Sequence, residues 1–307
     1  MPEADICVIF NPAAGRGRAE RRLESLRRFL GARARFQSTE RRGHAEELAL
    51  LAATSGFAII GAAGGDGTVH EVANGLLRAG RPEVSLAVYP IGSANDYANA
   101  LQLKPEWWLR SDTDAVPRPV DVGLVRAAGG KERYFINGLG LGFNGAVTME
   151  SQRIRKLQGV FLYGLALLRV LCFHYTTPSM SVRIDESARL TPTLALSVAI
   201  GRREGNFVLA PDAVVDDGWF DYLHVGPLRR WQLLSRVPGM ITGKLRLDHP
   251  LIWHGCCRRV RVQSEAPLPI HLDGEMFSRP GDNVREIEIQ MLPGFLRVQR
   301  GQGKGLG

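Results

Sequence analysis

"FAIIGAAGGDGTVHEVANGLLRAG" (57–80) runs from an uncharged apolar stretch through a bare loop into a helical pattern. "FAIIGA" (57–62) reads as a buried strand. "TVHEVANGLLRAG" (68–80) reads as a helix, with Gly80 at the position where a left-handed residue ends one. Between them lie Gly64, Gly65, Asp66 and Gly67. Glycines lack a Cβ, so the backbone here can approach a ligand closely. Loop amides at a helix N-terminus make an anion site. Thr68 and Glu71 have the T-x-x-E spacing of a capping box, which predicts where the helix starts. Asp66 is the only charge in residues 61–67. It would repel a phosphate unless a divalent cation lay between them. A tight turn with Asp66 as a cap is the competing reading.

The flanking sequence repeats this strand–helix alternation. "ICVIF" (6–10), closed by Asn11-Pro12, reads as a strand. Helix is expected over 18–30, strand over 34–39, helix over 43–54 and strand over 85–92. Short apolar strands alternating with helices predict a parallel α/β layer. The texture changes at "PRPVDVG" (117–123). Beyond it come runs such as "SMSVRID", "TLALSVAIG", "RRVRVQS" and "REIEIQML", several with period two, as expected of half-buried antiparallel strands. One helix is expected over about 150–173. Its apolar stretch, "LQGVFLYGLALLRVLCF" (157–173), is a little short to span a bilayer and contains Arg169. Burial is the expectation for it, and a position at a membrane surface the alternative.

The 307 residues carry a net charge of +8, with 45% hydrophobic and 23% charged residues. This is the balance of a globular protein with a full core rather than a disordered chain. The basic excess favours a negatively charged partner such as nucleotide phosphate or an anionic membrane surface. Cys7, Cys172, Cys256 and Cys257 form no C-x-x-C pair and suggest no disulfide framework. "MPEADICVIF" lacks the basic and apolar regions of a signal peptide. A reducing, cytoplasmic setting is expected, peripheral to the inner face of the membrane. Residues 301–307, "GQGKGLG", read as a loose tail.

Two further loops follow expected strand ends: "NPAAGRG" (11–17), glycine-rich and basic, and "PIGSANDYANAL" (90–101), with Ser93, Asn95 and Asp96. In open α/β sheets, loops at the C-terminal ends of parallel strands converge on one ligand crevice. These motifs resemble the diacylglycerol kinase catalytic domain, shared by soluble bacterial lipid kinases, sphingosine kinases and ceramide kinases. "GGDGTVHEVANGL" matches the family signature without a gap. "NPAAG" and "STERRGHAEELA" resemble two family segments. "PIGSANDYA" resembles a third, with Ser93 for the usual threonine and Tyr97 for phenylalanine. "NGLGLGFNGAV", "APDAVVDDGWFDYLHV" and "HLDGE" continue the likeness in family order over nearly the whole chain.

The resemblance implies an N-terminal α/β domain with a parallel sheet, like that of 6-phosphofructokinase and NAD kinase, over residues 1–122. About 293–307 would return to it, and a mainly antiparallel β-sandwich over 123–292 would carry the lipid site. It implies ATP held by Asn11, Pro12, Gly15, Thr39, Gly64, Gly65, Asp66, Gly67, Thr68, Val69, His70, Ser93 and Asn95. A structural Mg²⁺ would sit at Val214, Asp217 and Trp219, and a catalytic Mg²⁺ at Asp66, Asp96 and Asp121, directly or through water. Asp273 or Glu275, in "HLDGE" (271–275), would take the proton of a lipid hydroxyl as it attacks the γ-phosphorus. A plain Asp-Gly hairpin is the alternative for that turn, as it is for "VVDDGWFD". The expected acceptor is diacylglycerol or a related lipid with a free hydroxyl. A homodimer is left open and no nucleic-acid partner is expected.

Other patterns compete weakly. "GLGFNG" (140–145) matches G-x-G-x-x-G, but residues 157–173 hold no acidic partner for a ribose. "HPLIWHGCC" (249–257) fits no usual zinc spacing, and its adjacent cysteines would point to opposite faces of a strand. "GRREG" (201–205) reads as a solvated loop whose charge could meet phosphate or a lipid headgroup. A kinase for a soluble acceptor such as NAD, and a basic nucleic-acid-binding protein, are the alternative functions.

Overall fold

The structure is a computed structural model. It describes residues 5–14, 18–104, 106–110, 116–154, 157, 159–205 and 207–299. Gly15, and the returning segment beyond Gln299, lie outside the described residues. Two compact units are present: one up to Val120 plus the segment from Gly294, the other Asp121–Pro293.

The first unit alternates strand and helix: β1 (Ile6–Phe10), α1 (Arg18–Leu30), β2 (Ala34–Ser38), α2 (His44–Thr54), β3 (Ile59–Gly64), α3 (Asp66–Ala79), β4 (Ser85–Pro90) and α4 (Asp96–Ala100). The strands are parallel in the order β2-β1-β3-β4. All six residues of β4 are buried, the continuous apolar reading of a strand covered on both faces. On β4, Tyr89 stacks on Trp107 with ring centroids 5.9 Å apart. The indole N–H of Trp107 donates to the Val88 carbonyl at 2.8 Å. Beyond β4, Arg297–Gln299 pair in parallel with Ser85–Ala87, and the Gln299 amide donates to Ser85 Oγ at 3.0 Å.

Helices α2 and α3 pack through a glycine. A Cβ on Gly75 would lie 2.4 Å from the Glu46 carbonyl oxygen and 2.7 Å from Ala49 Cβ. The capping box expected at Thr68 and Glu71 does not form. β3 runs on to Gly64, so the chain turns at Gly65 and the helix begins at Asp66. Thr68 is thereby inside the first turn and buried. The Glu71 carboxylate turns to the other helix and accepts from Gly43 N–H at 2.8 Å and Ala45 N–H at 3.2 Å. It satisfies two of the amides that the start of α2 leaves open.

The second unit contains β5 (Arg118–Ala127, entering from the first unit), β6 (Glu132–Phe135), β7 (Gly138–Gly142), α5 (Phe143–Ser151), α6 (Gly159–Phe173), β8 (Ser179–Ile184), β9 (Ser187–Pro192) and β10 (Ala195–Ala199). There follow β11 (Arg203–Glu204), β12 (Phe207–Val208), β13 (Phe220–Val225), α7 (Arg230–Leu234), α8 (Val237–Thr242), β14 (Ile252–Cys257), β15 (Arg259–Ser264), β16 (Ile270–Leu272), β17 (Glu275–Ser278) and β18 (Glu286–Gln299). One antiparallel sheet has the order β14-β13-β10-β7-β16-β17; a second layer has the first part of β18 beside β15, β8 and β9. The period-two reading holds on β15, where Val260 and Val262 are buried and Arg259 and Arg261 exposed. Cys257 is buried and Cys256 exposed, as alternate faces of β14 require.

The single helix expected over about 150–173 is two. After Ser151 the amides of Arg153 and Ile154 bond three residues back, to Glu150 and Ser151, a tightening that ends α5. Nor is α6 wholly buried: Ala166, Leu167, Val170 and Leu171 pack inward while Phe161, Leu165, Leu168 and Phe173 are exposed.

Gly75→Ala is expected to destabilise the first unit by about 1–3 kcal/mol, the range for forcing a methyl into a packed contact. Chemical denaturation of the variant against wild type measures it. An unchanged midpoint would mean that the two helices separate without cost.

Candidate active site

In the first unit the loops after β3 and β4 are zipped together. The Gly64 carbonyl accepts from both Ile91 N–H (3.2 Å) and Gly92 N–H (3.0 Å). A Cβ on Gly92 would stand 2.3 Å from Gly65 Cα, and one on Gly64 2.4 Å from Thr68 Oγ1. Glycine is required at both positions by close approach, whatever their φ. Asp66 Oδ1 accepts from Tyr97 N–H at 3.2 Å, which ties the start of α3 to the start of α4. The cap reading of Asp66 is thus realised on a neighbouring helix, and the carboxylate still opens its own. Asn95, left-handed at φ 55°, donates from its side chain to the Gly92 carbonyl. Asp96 is buried and Ser93 exposed.

The loop after β1 is fixed by Asn11. Its N–H donates to the Ala63 carbonyl at 3.2 Å and its Oδ1 accepts from Ala13 N–H at 2.9 Å. Pro12 is exposed beside it, and Thr39 N–H donates to the Phe10 carbonyl. The sheet order thus gathers Asn11, Thr39, Gly64–Gly67, Ser93 and Asn95 at the C-terminal ends of adjacent parallel strands. The side chains of Val69 and His70 do not belong to an open loop. Both are buried in α3, and the amides of Thr68 and Val69 close on the Gly65 carbonyl.

The second unit holds the remaining candidates. At "VVDDGWFD", Gly218 is left-handed at φ 79° and donates its N–H to Asp121 Oδ2 at 2.7 Å. Asp121 N–H in turn donates to the Val215 carbonyl. Asp217 Oδ1 accepts from Trp219 N–H at 3.0 Å. Burial first, then the Asp217 and Asp212 carboxylates, push the Asp221 carboxyl up to about 6. Negative charge is therefore crowded at a turn rich in oxygen, a donor set that suits a hard cation. Among the described residues no group of three or more His, Cys, Asp or Glu side chains forms a metal cluster; a cation at this turn would rely on carbonyls as well as carboxylate.

"HLDGE" forms the turn between β16 and β17. Asp273 (φ 52°) and Gly274 (φ 84°) are both left-handed, the pattern of a two-residue type I′ hairpin. The Asp273 carboxylate accepts three backbone amides: Asn137 at 2.8 Å and Gly138 at 2.9 Å on Oδ1, Ile136 at 3.1 Å on Oδ2. It anchors the turn to the start of β7. Glu275 opens β17 and is half-buried.

Beside this turn lies a cavity of about 90 Å³. Phe143, Tyr163, Leu167, Leu223, Leu233 and Met240 give it an apolar wall, and Asn144, Ser197, Glu204, His271 and Gly274 a polar end. Sequence reasoning missed Glu204, since "GRREG" reads as a solvated loop. The signal was there in part: His271, in an otherwise apolar strand, needs a buried partner, and Glu204 is 2.7 Å from its Nε2.

Comparison with known proteins places both units of the chain in known families. Residues 5–125 match the diacylglycerol kinase catalytic domain, and residues 138–300 the YegS C-terminal NAD kinase beta sandwich-like domain. The chain belongs to the diacylglycerol kinase family. A diacylglycerol kinase from Bacillus subtilis (strain 168) is 31% identical to this kinase over 302 residues, covering 92% of this chain and 95% of that one. A probable lipid kinase YegS-like from Pseudomonas aeruginosa (strain UCBPP-PA14) is 33% identical over 269 residues, covering 86% and 83%. A crystal structure of a diacylglycerol kinase from Bacillus anthracis str. Sterne shares the fold at 21% identity, with a TM-score of 0.71 and 98% of each chain covered. The kinase is thus a phosphotransferase with an alcohol acceptor, built from an N-terminal α/β domain and a C-terminal antiparallel β-sandwich. Membership implies ATP as the phosphoryl donor.

Asp273→Asn is expected to lower the thermal midpoint by several degrees. The amide turns a donor toward one of three N–H groups, and a lost hydrogen bond to a charged partner costs about 1.5–3 kcal/mol. Calorimetry on the variant checks this; an unchanged midpoint would mean that the three amides find other partners.

Proposed function

We propose that this kinase transfers the γ-phosphate of ATP to a hydroxyl of diacylglycerol or a related lipid. The observation that carries the reading is the apolar cavity whose polar end adjoins the "HLDGE" turn. A hydrocarbon chain would occupy the apolar wall, leaving the hydroxyl beside the turn. A soluble acceptor such as a nucleotide would have little use for that wall.

The phosphates fall to Gly64, Gly65, Asp66 and Gly67, since the amides of Thr68 and Val69 are spent within the helix. Asn11, Thr39, Ser93 and Asn95 would complete the nucleotide site. Asp66 and Asp96 are the carboxylates we assign to Mg²⁺, which when bound would neutralise phosphate charge. Asp121, fixed by Gly218 N–H, we assign to the Val214–Trp219 turn, where it would support a structural Mg²⁺ with Asp217 and the carbonyls of Val214 and Trp219. Of the two carboxylates in "HLDGE", we assign the proton acceptor to Glu275. Asp273 already accepts three amides, which fits it for holding the turn.

The outer face of α6 supports reversible contact with an anionic membrane. Phe161 is 81% and Phe173 75% exposed, on the helix that lines the cavity with Tyr163 and Leu167. Trp231 on α7, 63% exposed, belongs to a stretch with Arg229, Arg230, Arg236, Lys244 and Arg246 against Asp248 alone. Exposed apolar side chains with basic neighbours suit an anionic interface. Among the described residues no helix is long and apolar enough to cross a membrane.

A radiolabelled ATP assay over a lipid panel tests the reaction. Glu275→Gln and Asp66→Asn are each expected to lower kcat by about a hundredfold or more. Glu275→Gln should leave ATP affinity nearly intact. Full activity in both variants would sink these assignments, and transfer only to soluble acceptors would sink the lipid reading.

Vesicle co-sedimentation tests the surface. Phe161→Ser with Trp231→Ser is expected to weaken binding to anionic vesicles by at least tenfold, since roughly 1.5–3 kcal/mol follows each large apolar side chain withdrawn from water. Wild-type protein should be released by salt. Binding that ignores both salt and the substitutions would place the contact elsewhere.

A further inference from the structure

The polar end of the cavity is a connected set of hydrogen bonds. Asn144 Nδ2 donates to Ser197 Oγ at 2.7 Å. Ser197 Oγ donates to Glu204 Oε2 at 3.1 Å. On the other side Gly274 N–H faces His271 Nδ1 at 3.4 Å. An amide can only donate, so Nδ1 accepts and the ring hydrogen lies on Nε2, 2.7 Å from Glu204 Oε1. Glu204 thus accepts on both oxygens, one from Ser197 and one from His271.

The cluster is built into the backbone. His271 is fully buried on β16. Opposite it, Gly140 on β7 leaves the space that the cluster fills: a Cβ there would stand 2.3 Å from His271 Nε2, 2.9 Å from Asn144 Cβ and 3.0 Å from Glu204 Oε1. Sheet and cluster therefore fix the carboxylate at one place on the wall of an otherwise apolar cavity. A carboxylate has about four acceptor positions, and Ser197 and His271 take two. A ligand that displaced water here without offering a donor would leave the rest under-satisfied, a cost that grows in apolar surroundings.

We infer that Glu204 selects the acceptor lipid by accepting a hydrogen bond from a donor group other than the hydroxyl being phosphorylated. The favoured substrates carry a second hydroxyl or an N–H next to the reacting hydroxyl, as monoacylglycerols, sphingoid bases and ceramides do. Diacylglycerol offers only ester oxygens in that position, and these accept rather than donate. His271 and Ser197 act as positioning residues for Glu204. This inference rests on the lipid-kinase reading and narrows its substrate class.

The test compares kcat/KM for 1-oleoylglycerol and its 2-O-methyl ether, which differ by one donor, with diacylglycerol alongside. Wild type is expected to prefer the free diol by about tenfold to a hundredfold, the span for one hydrogen bond to a charged partner. Glu204→Gln should bring that ratio close to one. Ser197→Ala, which removes one of the two groups that orient Glu204, should lower it partway and more through KM than kcat. Circular dichroism and thermal midpoints confirm that each variant is folded; if Glu204→Gln does not fold, the wild-type ratio and Ser197→Ala carry the test. Equal turnover of the diol, its ether and diacylglycerol by wild type would overturn the inference and leave the lipid-kinase reading standing. So would a preference that survives in folded Glu204→Gln. Failure to phosphorylate any of these lipids would overturn both.

Discussion

A contact between two glycines organises the first unit. Gly65 and Gly92 touch backbone to backbone, with no room for a side chain on Gly92, and the Gly64 carbonyl receives two amides from the β4 loop. Adjacent parallel strands put their C-terminal loops side by side; the absence of Cβ atoms lets those loops close on one another. Asp66 then reaches Tyr97 N–H and couples α3 to α4. One carboxylate in a bare loop serves two ends: it closes the β3 and β4 loops, and it holds negative charge at a helix start, where a phosphate would also be attracted. Those demands conflict unless a cation joins them, and that conflict is the physical case for a metal at this position.

The second unit solves a different problem. On the reading proposed above, a lipid substrate would need an apolar space, and its reacting hydroxyl would need polar groups fixed at the end of that space. The sandwich supplies the space from α5, α6, α7 and α8 against β10 and β13. The turn after β16 supplies the fixed end. Asp273 spends its oxygens on three amides of β7 and the residues just before it, so Glu275 is carried on a rigid hairpin rather than a loose one. His271, one residue ahead of that hairpin's last strand position, passes the same rigidity to Glu204. Within "HLDGE", Asp273 holds the turn, while His271 and Gly274 line the cavity.

Much of the fold was legible. "ICVIF" and "RAERRLESLRRFL" form β1 and α1 with the bounds that their patterns predict. The glycine loops, the left-handed Gly80 and the period-two strands of the second half also follow from local sequence. These signals are local: apolar periodicity, missing Cβ atoms and turn pairs act over a few residues. Boundaries that depend on remote partners were not legible. β3 ends two residues later than its apolar run because its backbone pairs with β4 as far as Gly64↔Pro90. That extension places Thr68 inside the helix and releases Glu71 to serve α2.

The sequence by itself determined the family and the two-part architecture, because a glycine–aspartate core and an Asp-Gly-Glu turn are short, contiguous and tightly constrained. Tertiary structure decided what surrounds each carboxylate. Asp273 and Glu275 stand two residues apart and are equivalent as text; only the arrival of three amides from residues 136–138 separates an anchor from a candidate base. Glu204 reads as loop charge until β7, β10 and β16 bring Gly140, Ser197 and His271 around it. The reason is the same in each case. A side chain's role is set by the donors and acceptors that surround it, and here the Asp273 amides and the His271 ring come from strands or turns more than sixty residues away from the carboxylates they meet.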